Sequence, residues 1–387
     1  MKKLRVGVIY GGRSGEHEVS IASAAALMAH LDRSRYEPVP IRIERDGRWV
    51  LADKAPTAAS AAEIIEQTRR DASALRPGRE VHLIARPSEE SLLTIDRGVS
   101  RNGDEPRATV TGLGLDVLFP VLHGPYGEDG TVQGLMELGN VPYVGCGVLA
   151  SALGMDKAAM KVVFVAHGLP VCPWRLVSRR RIVADVEDAA RDVSEALGWP
   201  LFVKPANLGS SVGISKATDM PSLQVALRLA ADYDRKVVVE AAVPRAREIE
   251  VAVLGNDEVQ ASVPGEIVPS REFYDYDAKY LDAGSELRIP APLDEVTAAR
   301  LQQLAIEAFR AIDGAGLSRV DFLMDGDTGA VWVNEINTMP GFTSISMYAK
   351  LWAATGVDYP TLIDRLVALA LERHAEKQAL RVSAFPG

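Results

Sequence analysis

The chain has 387 residues, of which 47% are hydrophobic and 25% charged, and carries a formal charge of −9. That length suits two or three domains with ample core. The acidic balance argues against a general nucleic-acid or membrane-surface binder, and two cysteines, Cys146 and Cys172, are too few for a disulfide framework or a zinc site. The apolar run behind the basic start ends at Tyr10 with no cleavage site. With no stretch apolar enough to span a bilayer, a cytoplasmic protein without a membrane partner is expected. Residues 4–10, ending in Gly11-Gly12, predict a buried parallel strand. A helix over 19–31 and a strand over 36–43 complete a βαβ start. Residues 46–107 alternate alanine-rich helical patches with Pro-Gly and charged turns, an elaboration of a first domain spanning 1–145. Strands are expected at 115–122 and 141–145, then a helix over 149–167. Further strands at 201–205, 236–243 and 248–254 flank a glycine-serine loop at 208–213. The amphipathic stretch 297–313 puts Leu301, Leu304, Ala305 and Ala308 on one stripe. A hairpin and a closing helix at 359–376 complete an α/β chain, divided into units 1–145, 146–240 and 241–387.

The hairpin holds the most chemistry. Its loop is Asp325-Gly326-Asp327-Thr328-Gly329. Side chains alternate faces along a strand, so Glu335 and Asn337 point one way while Asn334 and Ile336 point the other. If residues 324 and 330 pair, Arg319, Asp321, Glu335 and Asn337 share a face. Such hard oxygen ligands suit Mg²⁺ shared with a substrate phosphate. A solvated hairpin face is the alternative, and a one-residue shift of register would split the cluster.

Three other segments carry signals. Gly209-Ser210-Ser211-Val212-Gly213 presents small residues and free N–H groups able to close over an anion. Lys204 and Lys157 supply positive charge, and a flexible linker is the alternative. The aromatic and charged run 273–280 reads as a lid that excludes water, or as a packed surface loop. Glu16 and His123 both follow strands at the sheet edge where α/β folds place ligands. No G-x-x-x-x-G-K-[ST] occurs. Gly145-Cys146-Gly147-Val148-Leu149-Ala150 fits a dinucleotide turn, although close helix–strand packing explains its glycines more simply and the expected acidic residue downstream is missing.

Taken in order, residues 11–20, 123–130, 154–157, 204–213, 274–280, 319–321 and 335–346 resemble the D-alanine–D-alanine ligases of the ATP-grasp superfamily. The resemblance spans nearly the whole chain. It implies three α/β domains, with ATP held between the central and C-terminal ones, and ligation of two D-alanine molecules through an acyl phosphate for peptidoglycan synthesis. It implies that Lys157, Lys204 and Ser211 meet the phosphates, and that Glu240 and Glu248 surround adenine and ribose. Asp321, Glu335 and Asn337 match ligands of two Mg²⁺ ions, or Mn²⁺ in their place. Glu16 matches the acceptor of the first substrate's ammonium, with Ser210 and Tyr280 as its partners. Arg319 and the Gly341 backbone match the oxyanion stabilisers, and Lys279 and Ser346 lie near the second substrate's carboxylate. His123 matches a residue of the same substrate pocket. The family is usually dimeric, which implies a homodimer. Ala241 departs from the pattern, since a lysine beside adenine is frequent there. Alternatives from other classes are a nucleotide-dependent dehydrogenase built on 145–150 and a non-catalytic sensor. Within the class, a ligase taking D-lactate or D-serine as second substrate is the rival.

Overall fold

The structure, a computed structural model, describes residues 2–57, 79–87, 91–97, 108–268, 286–343 and 345–381. Lys279 and Tyr280, and with them the expected lid, lie outside the described residues. The first sheet contains β1 (Leu4–Gly11), β2 (Tyr36–Ile43), β3 (Trp49–Leu51), β4 (Arg79–Leu83), β5 (Leu92–Arg97), β6 (Ala108–Gly112) and β7 (Val117–Pro120), in the order β6-β5-β4-β3-β2-β1-β7. Only β2, β1 and β7 run parallel; α1 (His17–His30) supplies the crossover that a parallel pair requires. From β2 to β6 every neighbour is antiparallel. Helical patches are therefore not what the described parts of 46–107 form. They add strands β3 to β5, which bury Val50, Val81 and Leu92. The alanine-rich stretch between β3 and β4 lies outside the described residues.

Two further expectations change. After α2 (Thr131–Leu138), residues 141–145 make only one bridge, Leu118 to Tyr143; Pro142 has no N–H to extend it. The helix expected over 149–167 is two helices, α3 (Val148–Met155) and α4 (Lys157–Ala166). The break is Asp156, extended at φ −87°, whose carboxylate accepts from the N–H groups of Ala158 and Ala159 as an N-cap. The cap fixes Lys157 as the first residue of α4.

The second sheet orders β8 (Trp174–Ser178), β9 (Leu201–Pro205), β10 (Ser215–Ala217) and β11 (Lys236–Ala241) as β10-β9-β11-β8, all antiparallel. Helices α5 (Arg179–Ala184), α6 (Val186–Leu197) and α7 (Met220–Tyr233) cover one face, onto which Leu201, Val203, Val237 and Val239 pack. The period of two then turns Phe202, Lys204, Val238 and Glu240 to the other face.

The third sheet comprises β12 (Arg247–Gly255), β13 (Gln260–Ala261), β14 (Gly265–Val268), β15 (Glu286–Arg288), β16 (Gly316–Met324) and β17 (Val331–Asn337). Ile249, Val251, Val320 and Phe322 pack against α8 (Glu295–Ala311) and against Met160 and Phe164 of α4. Alternation puts Glu248, Glu250, Arg319 and Asp321 on the opposite face. At the far end of that face, Ala252, Leu254 and Leu317 join a core shared with β1, α1, α9 (Met347–Ala354) and α10 (Tyr359–Ala379). No helix among the described residues is long and apolar enough to cross a membrane.

Candidate active site

The free faces of the second and third sheets enclose a cavity of about 570 Å³. Phe202, Ile214, Val243 and Leu323 line it together with Lys157, Lys204, Ser210, Ser211, Glu248, Glu250, Asp321 and Glu335. Apolar walls accompanied by lysines, serines and carboxylates suit a flat heterocycle carrying a polyanion.

The hairpin register explains how the carboxylates meet. Met324 pairs with Val331, one residue away from the pairing expected, and Phe322 pairs with Val333. Continued unbroken, that register would place Asp321 opposite Asn334 and split the cluster. A bulge intervenes, so Asp321 pairs with Glu335 and Arg319 with Asn337. The extra residue is Asn334. It does not turn away from the cluster as simple alternation implies; its Oδ1 accepts from Lys204 Nζ at 3.2 Å. Arg319 donates from Nε and Nη2 to the two oxygens of Asp321, at 2.7 and 2.6 Å. Asn337 Oδ1 accepts from the Met339 N–H at 3.0 Å, which starts the turn toward Gly341. Two carboxylates and an amide oxygen on one face fit Mg²⁺, which completes its shell with water and phosphate. No group of three His, Cys, Asp or Glu side chains among the described residues could hold a metal unaided.

The lysines are held just as firmly. Lys157 Nζ donates to the Leu208 carbonyl at 2.8 Å and lies 3.4 Å from Glu335 Oε2. Lys204 Nζ donates to Glu240 Oε2 at 2.8 Å, and Lys161 Nζ stands 3.0 Å from Glu240 Oε1. Burial alone would raise the Glu240 carboxyl, but the two ammonium groups overcome it and hold the pKa down to about 2. Glu240 thus anchors Lys204 at the cavity wall, one step back from the adenine contact that the resemblance implies.

The loop after β9 connects this cavity to the N-terminal unit. Asn207 is fixed by Asp234 Oδ2 at 2.8 and 2.9 Å, after which Ser210 and Ser211 take left-handed φ values of 51° and 59°. Two consecutive non-glycine residues there mark a strained turn of the kind found at ligand sites. The Ser210 hydroxyl donates to Glu16 Oε1. Glu16 is placed by Ser14, whose hydroxyl accepts from the Glu16 N–H at 3.2 Å and donates to the His123 carbonyl at 2.6 Å. Gly124 is required beside it: a Cβ there would lie 2.8 Å from Glu16 Oε2.

His123 is buried with both ring nitrogens engaged. Nδ1 faces the Met339 carbonyl at 2.9 Å and so carries the proton. Nε2 therefore accepts from the Ser23 hydroxyl at 3.1 Å, which itself accepts from the Phe342 N–H at 3.2 Å. Burial lowers the imidazole pKa, so His123 stays neutral and ties the N-terminal loop to the Gly341 turn. Ser346 closes that turn, accepting from the Thr343 N–H at 3.0 Å, with its Oγ 3.4 Å from where a Gly341 Cβ would sit.

Four residues of the site escaped the sequence reading. Glu250 lies two residues after Glu248 and so on the same strand face, a signal that was available. Lys161, four residues after Lys157, shares its helix face in the same way. Glu128 is buried, accepts from the Gly124 N–H at 2.9 Å, and has its pKa raised to about 8 by burial and then by the charge of Glu16. Asn334 owes its place to the bulge, which no pattern in the strand announces.

Two sheets closing on a lysine-lined cavity, with an acidic hairpin along one wall, define the ATP-grasp architecture. Family models agree with this geometry: D-ala D-ala ligase N-terminus matches residues 5–146, and D-ala D-ala ligase C-terminus matches residues 163–368. The D-alanine–D-alanine ligase of Heliobacterium modesticaldum is 52% identical over 100% of both chains. That of Bacillus cytotoxicus is 46% identical over 98% of this chain and 99% of its own. Among solved structures, the D-alanine–D-alanine ligase of Coxiella burnetii has a TM-score of 0.77 at 36% identity, covering 98% of this chain and 97% of its own. The VanG D-Ala:D-Ser ligase of Enterococcus faecalis has a TM-score of 0.79 at 33% identity, covering 95% and 100%. The chain belongs to the D-alanine–D-alanine ligase family.

Proposed function

We propose that the protein joins two D-alanine molecules at the expense of ATP, releasing ADP and phosphate and supplying a peptidoglycan precursor. The observation that carries this reading is the Ser210–Glu16 bond. It sets a carboxylate suited to a substrate ammonium against the loop that would cover the phosphates. A carboxylate is a poor acyl donor because its leaving group would be oxide. Transfer of the γ-phosphoryl group to the first D-alanine gives an acyl phosphate, and the amine of the second D-alanine displaces phosphate. Phosphoryl transfer needs positioning and charge neutralisation, a role for Lys157, Lys204 and Ser211. Asp321, Glu335 and Asn337 would hold two Mg²⁺ ions, or Mn²⁺, which when bound neutralise phosphate charge. Glu240 fixes Lys204, and Glu248 faces the nucleoside. Arg319 and the Gly341 N–H would then donate to the oxyanion of the tetrahedral step, and Ser346 and Lys279 would meet the second carboxylate. Tyr280 would close the site against hydrolysis. A cytoplasmic homodimer, divided at about 145 and 240, completes the proposal.

The dehydrogenase alternative loses its support. A Cβ on Gly145 would lie 2.8 Å from Met339 Cε, and one on Gly316 would lie 3.1 Å from Gly145 N; the first glycine of the 145–150 turn serves close packing. D-serine stays a rival second substrate because VanG, the D-Ala:D-Ser ligase, is 33% identical. The deciding experiment is phosphate release from ATP and Mg²⁺ with no amino acid, D-alanine, L-alanine, or D-alanine plus D-serine or D-lactate, with products identified by mass. D-alanyl-D-alanine formed with D-alanine-dependent release supports the proposal. A mixed product in preference to it would overturn the choice of nucleophile, and no release would overturn the activity.

A further inference from the structure

Arg319 stands between two carboxylates, of which only Asp321 has a role in the proposed function. The second is Glu250, buried on β12, with Oε2 3.0 Å from Arg319 Nε. The register puts Glu250 directly opposite Asp321, while Arg319 faces Ala252. A methyl opposite Arg319 leaves room for its side chain to lie along the sheet, so that the guanidinium sits between both acids. Asp321 occupies both Nε and Nη2, and a bidentate grip of this kind fixes the plane of the guanidinium.

Asp321 cannot keep that grip unchanged. In the proposed function it is a ligand of Mg²⁺, and a carboxylate oxygen drawn to a dication gives up electron density, and often alignment, to it. Arg319 would then lose the partner that orients it when the oxyanion forms. Glu250 comes from a different strand, so it is free of the movement that recruits Asp321. We propose that Glu250 is a positioning residue: it holds the Arg319 guanidinium in place while Asp321 turns to the cation. Groups placed one step behind a metal ligand commonly act in this way. The role rests on the assignment of Asp321 and Arg319 made under the proposed function.

The test compares the wild type with Glu250→Gln, Arg319→Lys and the double variant. Steady-state kinetics with D-alanine and ATP are combined with calorimetric binding of ADP, with and without Mg²⁺. In Glu250→Gln, kcat is expected to fall by about 10- to 100-fold, and KM for ATP, taken up with Mg²⁺, to rise. Binding of ADP alone should be unaltered. Binding of ADP with Mg²⁺ should weaken, because Arg319 is left holding Asp321 alone. The double variant should be hardly slower than Arg319→Lys, since a residue acting through Arg319 has nothing further to lose. Losses that multiply, an unchanged kcat in Glu250→Gln, or equal weakening of ADP without Mg²⁺ would each overturn the proposal. Should Glu250→Gln not fold, Glu250→Asp withdraws the carboxylate by one methylene; the same non-multiplying loss is expected and multiplying losses count against it. Asp321→Asn separates the two levels of inference. If it binds ADP–Mg²⁺ as the wild type does, the metal assignment itself is wrong.

Discussion

Glu335 and Glu240 are both carboxylates within reach of a lysine, yet their replacement by glutamine should have opposite consequences. Glu335 is partly open to the cavity, 3.4 Å from Lys157 Nζ. Under the proposed function, loss of its charge removes a metal ligand and little packing. Glu335→Gln is expected to lower dipeptide synthesis by at least ~100-fold, since a bound cation is worth several kcal/mol of charge stabilisation. Circular dichroism and melting temperature should stay close to the wild type, and near-normal turnover would sink the metal assignment. Glu240 instead lies between Lys161 and Lys204 with almost no exposure. Glu240→Gln leaves two buried cations sharing a neutral amide, an imbalance that typically costs about 3–5 kcal/mol. Its melting temperature should drop clearly before any kinetic effect is considered; an unaltered melt would show that the lysines find other partners or water.

At the scale of elements, the loop from β9 to β10 links the cavity between the second and third sheets to Glu16 of the N-terminal unit. Gly213 closes it at φ 72°, and a Cβ there would lie 2.8 Å from both Pro205 Cγ and Tyr233 Cδ2. Gly213→Ala therefore meets both a conformational and a steric cost, together more than ~1 kcal/mol. Because the displaced segment includes Ser210 and Ser211, KM for ATP should rise several-fold while the circular dichroism spectrum stays that of the wild type. Equal KM values would mean that the loop adapts without disturbing the serines. The loop was readable beforehand from its composition, and β9, β11, β12, α8 and α10 from their hydrophobic periods. The hairpin was readable only in part. Its four site residues share a face as expected, but through a one-residue shift and a compensating bulge at Asn334. A bulge is chosen by the packing of both strands on their neighbours, and alternation within one strand cannot reveal it. The antiparallel extension β3 to β6 was missed for a related reason. Short strands set among charged residues show weak periodicity, and only pairing with the parallel core selects them.

Across the whole molecule, the site exists because three sheets are clamped at one junction. Arg373 of α10 donates to the Tyr143 and Gly145 carbonyls, with its guanidinium 4.5 Å over the Tyr143 ring. His123 binds the Met339 carbonyl across the same seam. Glu128 is buried where these parts meet, and its pKa reports the closure. Burial chiefly, then Glu16 and Glu335, raise it to about 8 against the opposing pull of the Gly124 N–H and Lys157. Glu240 moves the other way, to about 2. Both start from 4.5, which gives stability two limbs of opposite sign. As pH falls from 4.5 toward 2, the unfolded chain takes up the Glu240 proton first, and the stability from the Lys161–Glu240–Lys204 cluster is lost. As pH rises from 4.5 through 8, the unfolded chain releases the Glu128 proton that the folded protein retains, so stability is lost there too. Glu128→Gln keeps the shape and removes that titration. Its melting temperature, measured against the wild type from pH 5 to pH 9, should gain steadily on it up to about pH 8 and then level off. Parallel curves would mean that Glu128 ionises freely in the folded protein, and that the seam between the sheets admits water at Gly124.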